Sequence, residues 1–447
     1  MTQRTSRRQF LKNTGIGAAG TGFWIAGRQV GFGQEKSPNA KLNIACIGTG
    51  GQGGSDMGNV SSENIVALCD IDDKRNAEAS KKHPDAKLYF DYRKMLEEMA
   101  GKVDAVTVGT PDHHHAPAAI MAMKLGKGVY VQKPMAHTVQ EARVMRETAT
   151  KYKVATQMGN QGTAGGNLRE SVEIVQAGLI GDVKEVHLWT NRPIWPQSPN
   201  ITARPKDTPP VPANIHWDEW LGAAPERPYH QAYLHFKWRG WWDFGTGALG
   251  DMACHTTNLP YFALKLGAPS TVEAEVEPIN PETCPGWAKV TYEFPARGEM
   301  SACKVTWYEG RRNGELVQPP LELLQGEKIS GSGSLLIGSK GTLYSPDDYG
   351  GKSVWLPKEK FKDMEKPKPT LPRSPGHHKE WILACKGEGK GMSNFAHAGP
   401  FTEFVLLGNV AMRVGKKFEW DAVNLKAKNC PEADQFIKKE YRKGWSI

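Results

Sequence analysis

Residues 42 to 53 read LNIACIGTGGQG, an apolar segment that runs straight into Gly48, Gly50 and Gly53. Glycines at this spacing have separate tasks. The first allows a tight turn, the second lets the backbone approach a pyrophosphate, and the third lets the following helix pack closely on the strand. That helix would then present unpaired N–H groups and a partial positive charge to a phosphate. Gly51 and Gln52 fall inside the same turn and belong to the expected cradle. In a chain with 48 glycines the string means little alone, so its surroundings decide.

A second apolar run, NIVALCD, ends on Asp70, 17 residues after Gly53. An acid at that strand end can accept hydrogen bonds from ribose hydroxyls and repels a ribose phosphate, which favours NAD over NADP. The same carboxylate could also cap the next helix, and Lys74 and Arg75 close behind it could hold a phosphate. AVTVGT at 105–110 and GVYV at 128–131 follow, each preceded by an amphipathic helical stretch. The alternation predicts an α/β fold: a doubly wound parallel sheet over residues 41–155 with ligands at its carboxyl edge. Lys133 stands just beyond GVYV on that edge, and Pro134 restricts its backbone. A lysine there can hold a substrate hydroxyl and stabilise a developing alkoxide, or it can be a solvated loop residue.

From Lys41 to the C-terminus the chain resembles the Gfo/Idh/MocA family of nicotinamide-dependent sugar and polyol oxidoreductases. The marks are GTGGQG at 48–53, CD at 69–70, TPDHHHAP at 110–117, QKPMAHT at 132–138 and GDMACH at 250–255. The resemblance implies a nicotinamide cofactor touched by Thr110, Pro111, His115, Gln132, Lys133 and Asn160 besides the glycine loop. The family's usual tripeptide is Glu-Lys-Pro, with the glutamate by the nicotinamide ribose; here Gln132 replaces it. Asp251 and His255 are four apart and share a helix face if that segment is helical. By resemblance His255 exchanges the hydroxyl proton during hydride transfer while Asp251 and Lys133 hold the oxygen.

His113, His114 and His115 invite a metal reading, but three consecutive side chains cannot converge on one ion from a regular element, and no metal is expected. Between 189 and 247 the chain is dense in tryptophan and proline. Loops this long in a compact enzyme are usually functional. Indoles stack on sugar C–H faces, so Trp242, Arg239 and Asp243 are candidate substrate contacts, with packing at the domain junction as the alternative for each tryptophan. Alternating patterns near 183–190, 271–278, 286–294 and 300–308 predict that 156–447 is an α/β domain built on a large, open, mostly antiparallel sheet. In the family such a sheet commonly pairs subunits, so a homo-oligomer is expected. Helices are predicted over 376–388 and 399–414, and CPEADQFIKKEYRKGW should fold back on the body.

A chain of 447 residues exceeds one ordinary core. Its formal charge of +9 includes five cations in residues 1–33, which hold no acid, so +4 remains elsewhere. No nucleic-acid stripe is present. SRRQFLK followed by a short apolar run reads as a twin-arginine export signal over 1–33, with a linker at 34–40, which implies the twin-arginine machinery as a partner and a periplasmic or extracytoplasmic address. Export of a folded protein implies a tightly bound NAD carried along. The seven cysteines form no C-x-x-C pair and are read as free thiols. Three functions follow: oxidation of a ring hydroxyl of a sugar, polyol or glycoside; redox-neutral glycoside cleavage through a transient ketone on retained NAD; or a catalytically silent nucleotide-bound sensor.

Overall fold

The computed structural model describes residues 40–447; the leader read at 1–33 lies outside them, as does all but the last residue of the linker. The first sheet is wholly parallel. Its strands are β1 (Asn43–Ile47), β2 (Asn64–Cys69), β3 (Lys87–Tyr89), β4 (Ala105–Val108), β5 (Gly128–Val131) and β6 (Thr156–Met158), in the order β3-β2-β1-β4-β5-β6. The chain winds outward from β1 through β2 to β3, then crosses back to β4 and winds the other way, so a crevice opens at the carboxyl ends of β1 and β4. β4 and β5 are buried on every residue, as a sheet covered on both faces requires. The sheet takes in Thr156–Met158, beyond the boundary at 155 expected from sequence.

Helix α1 (Gly51–Asn59) leaves the glycine turn. α2 (Asp73–Ser80) and α3 (Tyr92–Glu98) are capped by Asp72 and Asp91, whose side chains accept from Lys74 N and Arg93 N, so Asp70 is not the cap of α2. α4 spans His115–Lys124 and α5 spans Val139–Tyr152, the latter opened by a Thr138–Glu141 capping box.

The second sheet has ten strands: β7 (Val183–Thr190), β8 (Thr271–Val276), β9 (Trp287–Phe294), β10 (Cys303–Arg312), β11 (Glu315–Leu316), β12 (Ser332–Gly338), β13 (Thr342–Ser345), β14 (Val354–Leu356), β15 (Phe418–Asp421) and β16 (Lys426–Ala427). Every pairing is antiparallel except β7 with β10. Across its inner face runs a long helix, Phe395–Val414, with Phe401 and Phe404 in the core beside Tyr292 and Phe294. The helix His377–Cys385 instead packs on the parallel sheet, where Trp381 and Ile382 join Tyr130.

The C-terminal segment does fold back. Arg93 lies over the Trp445 ring at 4.0 Å, and Tyr441 Oη donates to Glu141 at 2.5 Å. All seven cysteines are unpaired thiols. Among the described residues no helix is long and apolar enough to cross a membrane.

Candidate active site

A cavity of about 550 Å³ opens at the carboxyl edge of the parallel sheet. Gly48, Gly50, Gly51, Gln52, Asp70, Thr110, Pro111 and Gln132 form its dinucleotide-facing wall. The loop is shaped for close approach. A side chain at Gly53 would run into the Gly48 carbonyl, whereas one at Gly51 would meet nothing within 4 Å. Gly53 is therefore a packing glycine behind the wall, while Gly51, at φ +54°, faces open space. The N-cap of α1, Gly50, supplies no side-chain hydrogen bond and the first turn holds no acid, so its amide donors are left for a phosphate.

Asp70 Oδ2 accepts from Thr49 N at 2.8 Å and its Oδ1 from Asp72 N at 3.0 Å, which fixes the carboxylate while leaving lone pairs toward the cavity. Arg75 lies against the glycine loop, where a Cβ on Gly50 would meet its side chain at 2.6 Å. These features fit a dinucleotide.

Lys133 extends from the end of β5 to the helix Gly247–Thr256 of the second domain. Its Nζ donates to Asp251 Oδ1 at 2.8 Å and to the Asp251 carbonyl at 2.9 Å, while Arg239 Nε reaches the same Oδ1 at 3.1 Å. Burial alone would raise the Asp251 pKa, yet the Lys133 ammonium and Arg239 guanidinium hold it well below the usual carboxylate range. For Lys133 burial opposes the charge, but Asp251 outweighs it and the pKa rises. His255 stands one turn beyond Asp251 on the cavity wall. Burial, then Lys133, pushes it down to about 3, so the ring is neutral at physiological pH; its Nδ1 is buried without a partner, and the ring meets Tyr349 edge-on at 4.8 Å.

Arg239 continues the wall, its guanidinium lying over the faces of Trp238 at 4.3 Å and Phe236 at 4.7 Å. Several expected contacts lie elsewhere. Asp243 turns away to Arg227, with Arg204 Nη2 at 3.9 Å, and Trp242 is buried against Arg413, so neither lines the cavity. His115 sits behind the wall with its nitrogens 2.7 Å from the Pro134 carbonyl and 2.9 Å from that of Thr110. Asn160 is fully buried and accepts from Ser393 Oγ. His115 and Asn160 brace loops instead of facing the cavity.

Sequence reasoning missed Asp112, Gln161, Trp195, Phe236 and Tyr349 as wall residues, whereas Trp238, weighed there as a sugar contact or a packing residue, does line the cavity. Asp112 adjoined the marked Thr110-Pro111 pair and could have been found; Tyr349 sits in a turn of unremarkable sequence. Among the described residues no group of three or more His, Cys, Asp or Glu side chains could hold a metal.

Two models of one family match: the oxidoreductase family's NAD-binding Rossmann fold at residues 42–160, and its C-terminal alpha/beta domain at 170–310. The chain belongs to the Gfo/Idh/MocA oxidoreductase family. The glycosyl hydrolase family 109 protein of Solibacter usitatus is 34% identical over 203 residues, which cover 40% of this chain and 44% of that protein. Inositol 2-dehydrogenase 1 of Saccharopolyspora erythraea is 28% identical over 33% of this chain and 44% of its own. The match thus spans less than half the length of these relatives.

Among solved structures, an inositol dehydrogenase homolog of Azotobacter vinelandii complexed with NADH and myo-inositol superposes with a TM-score of 0.58 at 18% identity, over 86% of this chain and 98% of that one. The WlbA dehydrogenase of Bordetella pertussis, in complex with NADH and UDP-GlcNAcA, gives 0.58 at 16%, over 85% and 99%. Both have the Gfo/Idh/MocA fold seen here, a parallel Rossmann sheet followed by a mostly antiparallel one.

Proposed function

We propose that this protein oxidises a ring hydroxyl of a sugar, polyol or glycoside by hydride transfer to NAD. The observation that carries the reading is the convergence of Lys133, Asp251 and His255 on the cavity that the glycine loop also lines. NAD, when bound, supplies the hydride acceptor. The α1 amides would hold its pyrophosphate and Asp70 its ribose hydroxyls.

The chain's own chemistry lies in the proton and the charge. Lys133, kept cationic by Asp251, holds the substrate oxygen and stabilises the alkoxide as it forms. His255, kept neutral, takes the hydroxyl proton. Arg239 steadies Asp251 from the other side, so the carboxylate stays charged and oriented. A screen of sugars and polyols for NADH formation at 340 nm tests the reading, and no reduction with any of them would overturn it.

A second reading is redox-neutral glycoside cleavage, favoured by the similarity to glycosyl hydrolase family 109 proteins. Oxidation beside an acidified C–H would permit elimination of the glycosidic substituent before the hydride returns. Aglycone release without NADH accumulation separates it from net oxidation. The intact Lys133, Asp251 and His255 set argues against a silent sensor. The export address and a homo-oligomer joined through the open sheet belong to the same proposal, and cell fractionation and light scattering test them.

A further inference from the structure

Gln132 stands where the family's usual tripeptide has a glutamate, and its surroundings explain the exchange. Its Nε2 donates to both oxygens of Asp56, at 2.8 and 3.0 Å. Asp56 lies on α1, one turn beyond the glycine loop, and is 1% exposed. His378 Nε2 meets Asp56 Oδ1 at 3.0 Å, and Gln52 Nε2 approaches the same oxygen at 3.3 Å. His378 is held in turn by stacking on Tyr130 at 4.7 Å and 20°. Gly159 closes the other side of Gln132, where an added Cβ would meet the amide at 2.6 Å. The amide nitrogen is therefore committed to Asp56, and Oε1 is left near Lys133 N, at 3.3 Å.

We infer that Asp56 and His378 are positioning residues for the cofactor seat: they orient the Gln132 carboxamide, and Asp56 supplies from α1 the negative charge that the family's glutamate carries at 132. The inference rests on the reading of the cavity as an NAD site. A glutamate at 132 would set two buried carboxylates about 3 Å apart, and both could not stay ionised. The pocket beside Asp56 therefore suits a carboxamide at 132, which can donate to the carboxylate, better than a second carboxylate. The network also ties three segments distant in sequence, α1, the end of β5 and the helix His377–Cys385, around one carboxylate.

The test is a double-mutant cycle read by NAD binding in calorimetry, with the thermal midpoint of the nucleotide-free chain measured alongside. Gln132→Glu should weaken NAD binding by roughly tenfold or more, a change of about 1.4 kcal/mol. The double variant Gln132→Glu with Asp56→Asn should recover most of that loss, because the introduced carboxamide on α1 can donate to the new carboxylate. A double variant no better than Gln132→Glu alone, or a Gln132→Glu protein that binds NAD as tightly as the parent, would overturn the inference.

If Gln132→Glu does not fold, His378 decides. His378→Gln keeps a donor to Asp56 and should bind NAD nearly as the parent does, whereas His378→Leu should bind it several-fold more weakly; equal affinities would sink the idea. The readout needs no sugar, so failure to find a substrate leaves this result standing. A parent chain that binds no NAD after any copurified nucleotide has been stripped from it overturns both proposals together.

Discussion

Lys133 keeps its charge in a place that would ordinarily strip it, because the Asp251 carboxylate at 2.8 Å outweighs burial. Replacing Lys133 with Met should lower turnover by about a hundredfold or more, the scale for losing a positioned charge or proton donor. The thermal midpoint should move little, since Arg239 still serves Asp251. A Lys133→Met enzyme close to the parental rate would remove the lysine from the mechanism.

Asp70 makes a separate prediction. In the proposed site its anion would face a ribose 2′ substituent, with Arg75 on the same cavity wall. Asp70→Ser should narrow the gap between NAD and NADP affinities, read by titrating each; a gap that stays as wide would mean another group selects. Asp70 was legible in sequence from its strand end, while Lys133, Asp251 and His255 were picked out by the resemblance to the Gfo/Idh/MocA family, with strand-end and i, i+4 placement open to a surface reading on its own. The places of Asp243 and Trp242 were not legible. They share the peptide that carries Arg239, but nothing local records that Arg227, 16 positions earlier, captures the carboxylate.

At the scale of elements, periodicity makes β7 to β10 readable and leaves β12 to β16 unmarked, since those are short or lie beside irregular turns. The helix that starts at Phe395 reads from sequence as opening four residues later, because Pro400 lies inside it. The histidine run that opens α4 is a set of braces.

His113 Nε2 and His114 Nε2 both face the Trp220 carbonyl, at 2.9 and 2.8 Å, and His115 holds the loops after β4 and β5. Burial pushes His114 and His115 down to about 4, and His377 likewise, while His113 and His137 fall well below the usual value. Between about pH 6.5 and 4 the unfolded chain therefore takes up protons that the native chain refuses, and stability falls as pH falls through that window. Burial acts oppositely on Asp112 and Glu309, raised to about 7 and 8; they favour the native state as pH drops, but the imidazoles outnumber them. Melting curves from about pH 6.5 to about 4.5 should show a steady loss, and a midpoint flat across that range would contradict these assignments.

The whole molecule encloses the cavity from both domains. The glycine loop and Asp70 come from the parallel sheet, Asp251 and His255 from a helix over the second sheet, Tyr349 from the turn between β13 and β14, and Trp445 from the C-terminal segment. The tryptophan-rich stretch read in sequence as a functional loop supplies Trp195, Trp220, Phe236 and Trp238 to the same wall, so the segment is legible as a wall although its individual contacts are not. A nucleotide lying along that wall would touch segments far apart in the chain. The redox-neutral reading needs slow release, since a hydride that returns to its own substrate must wait on a retained cofactor. Nucleotide should therefore copurify at about one equivalent per chain when the protein is isolated without additions, and persist through extended dialysis. Denaturation followed by mass analysis of the supernatant measures it. Recovery of a fully active chain that is empty on isolation and needs NAD in every assay would show that the cofactor exchanges freely, and would leave net oxidation with dissociating NAD as the surviving form of the proposal.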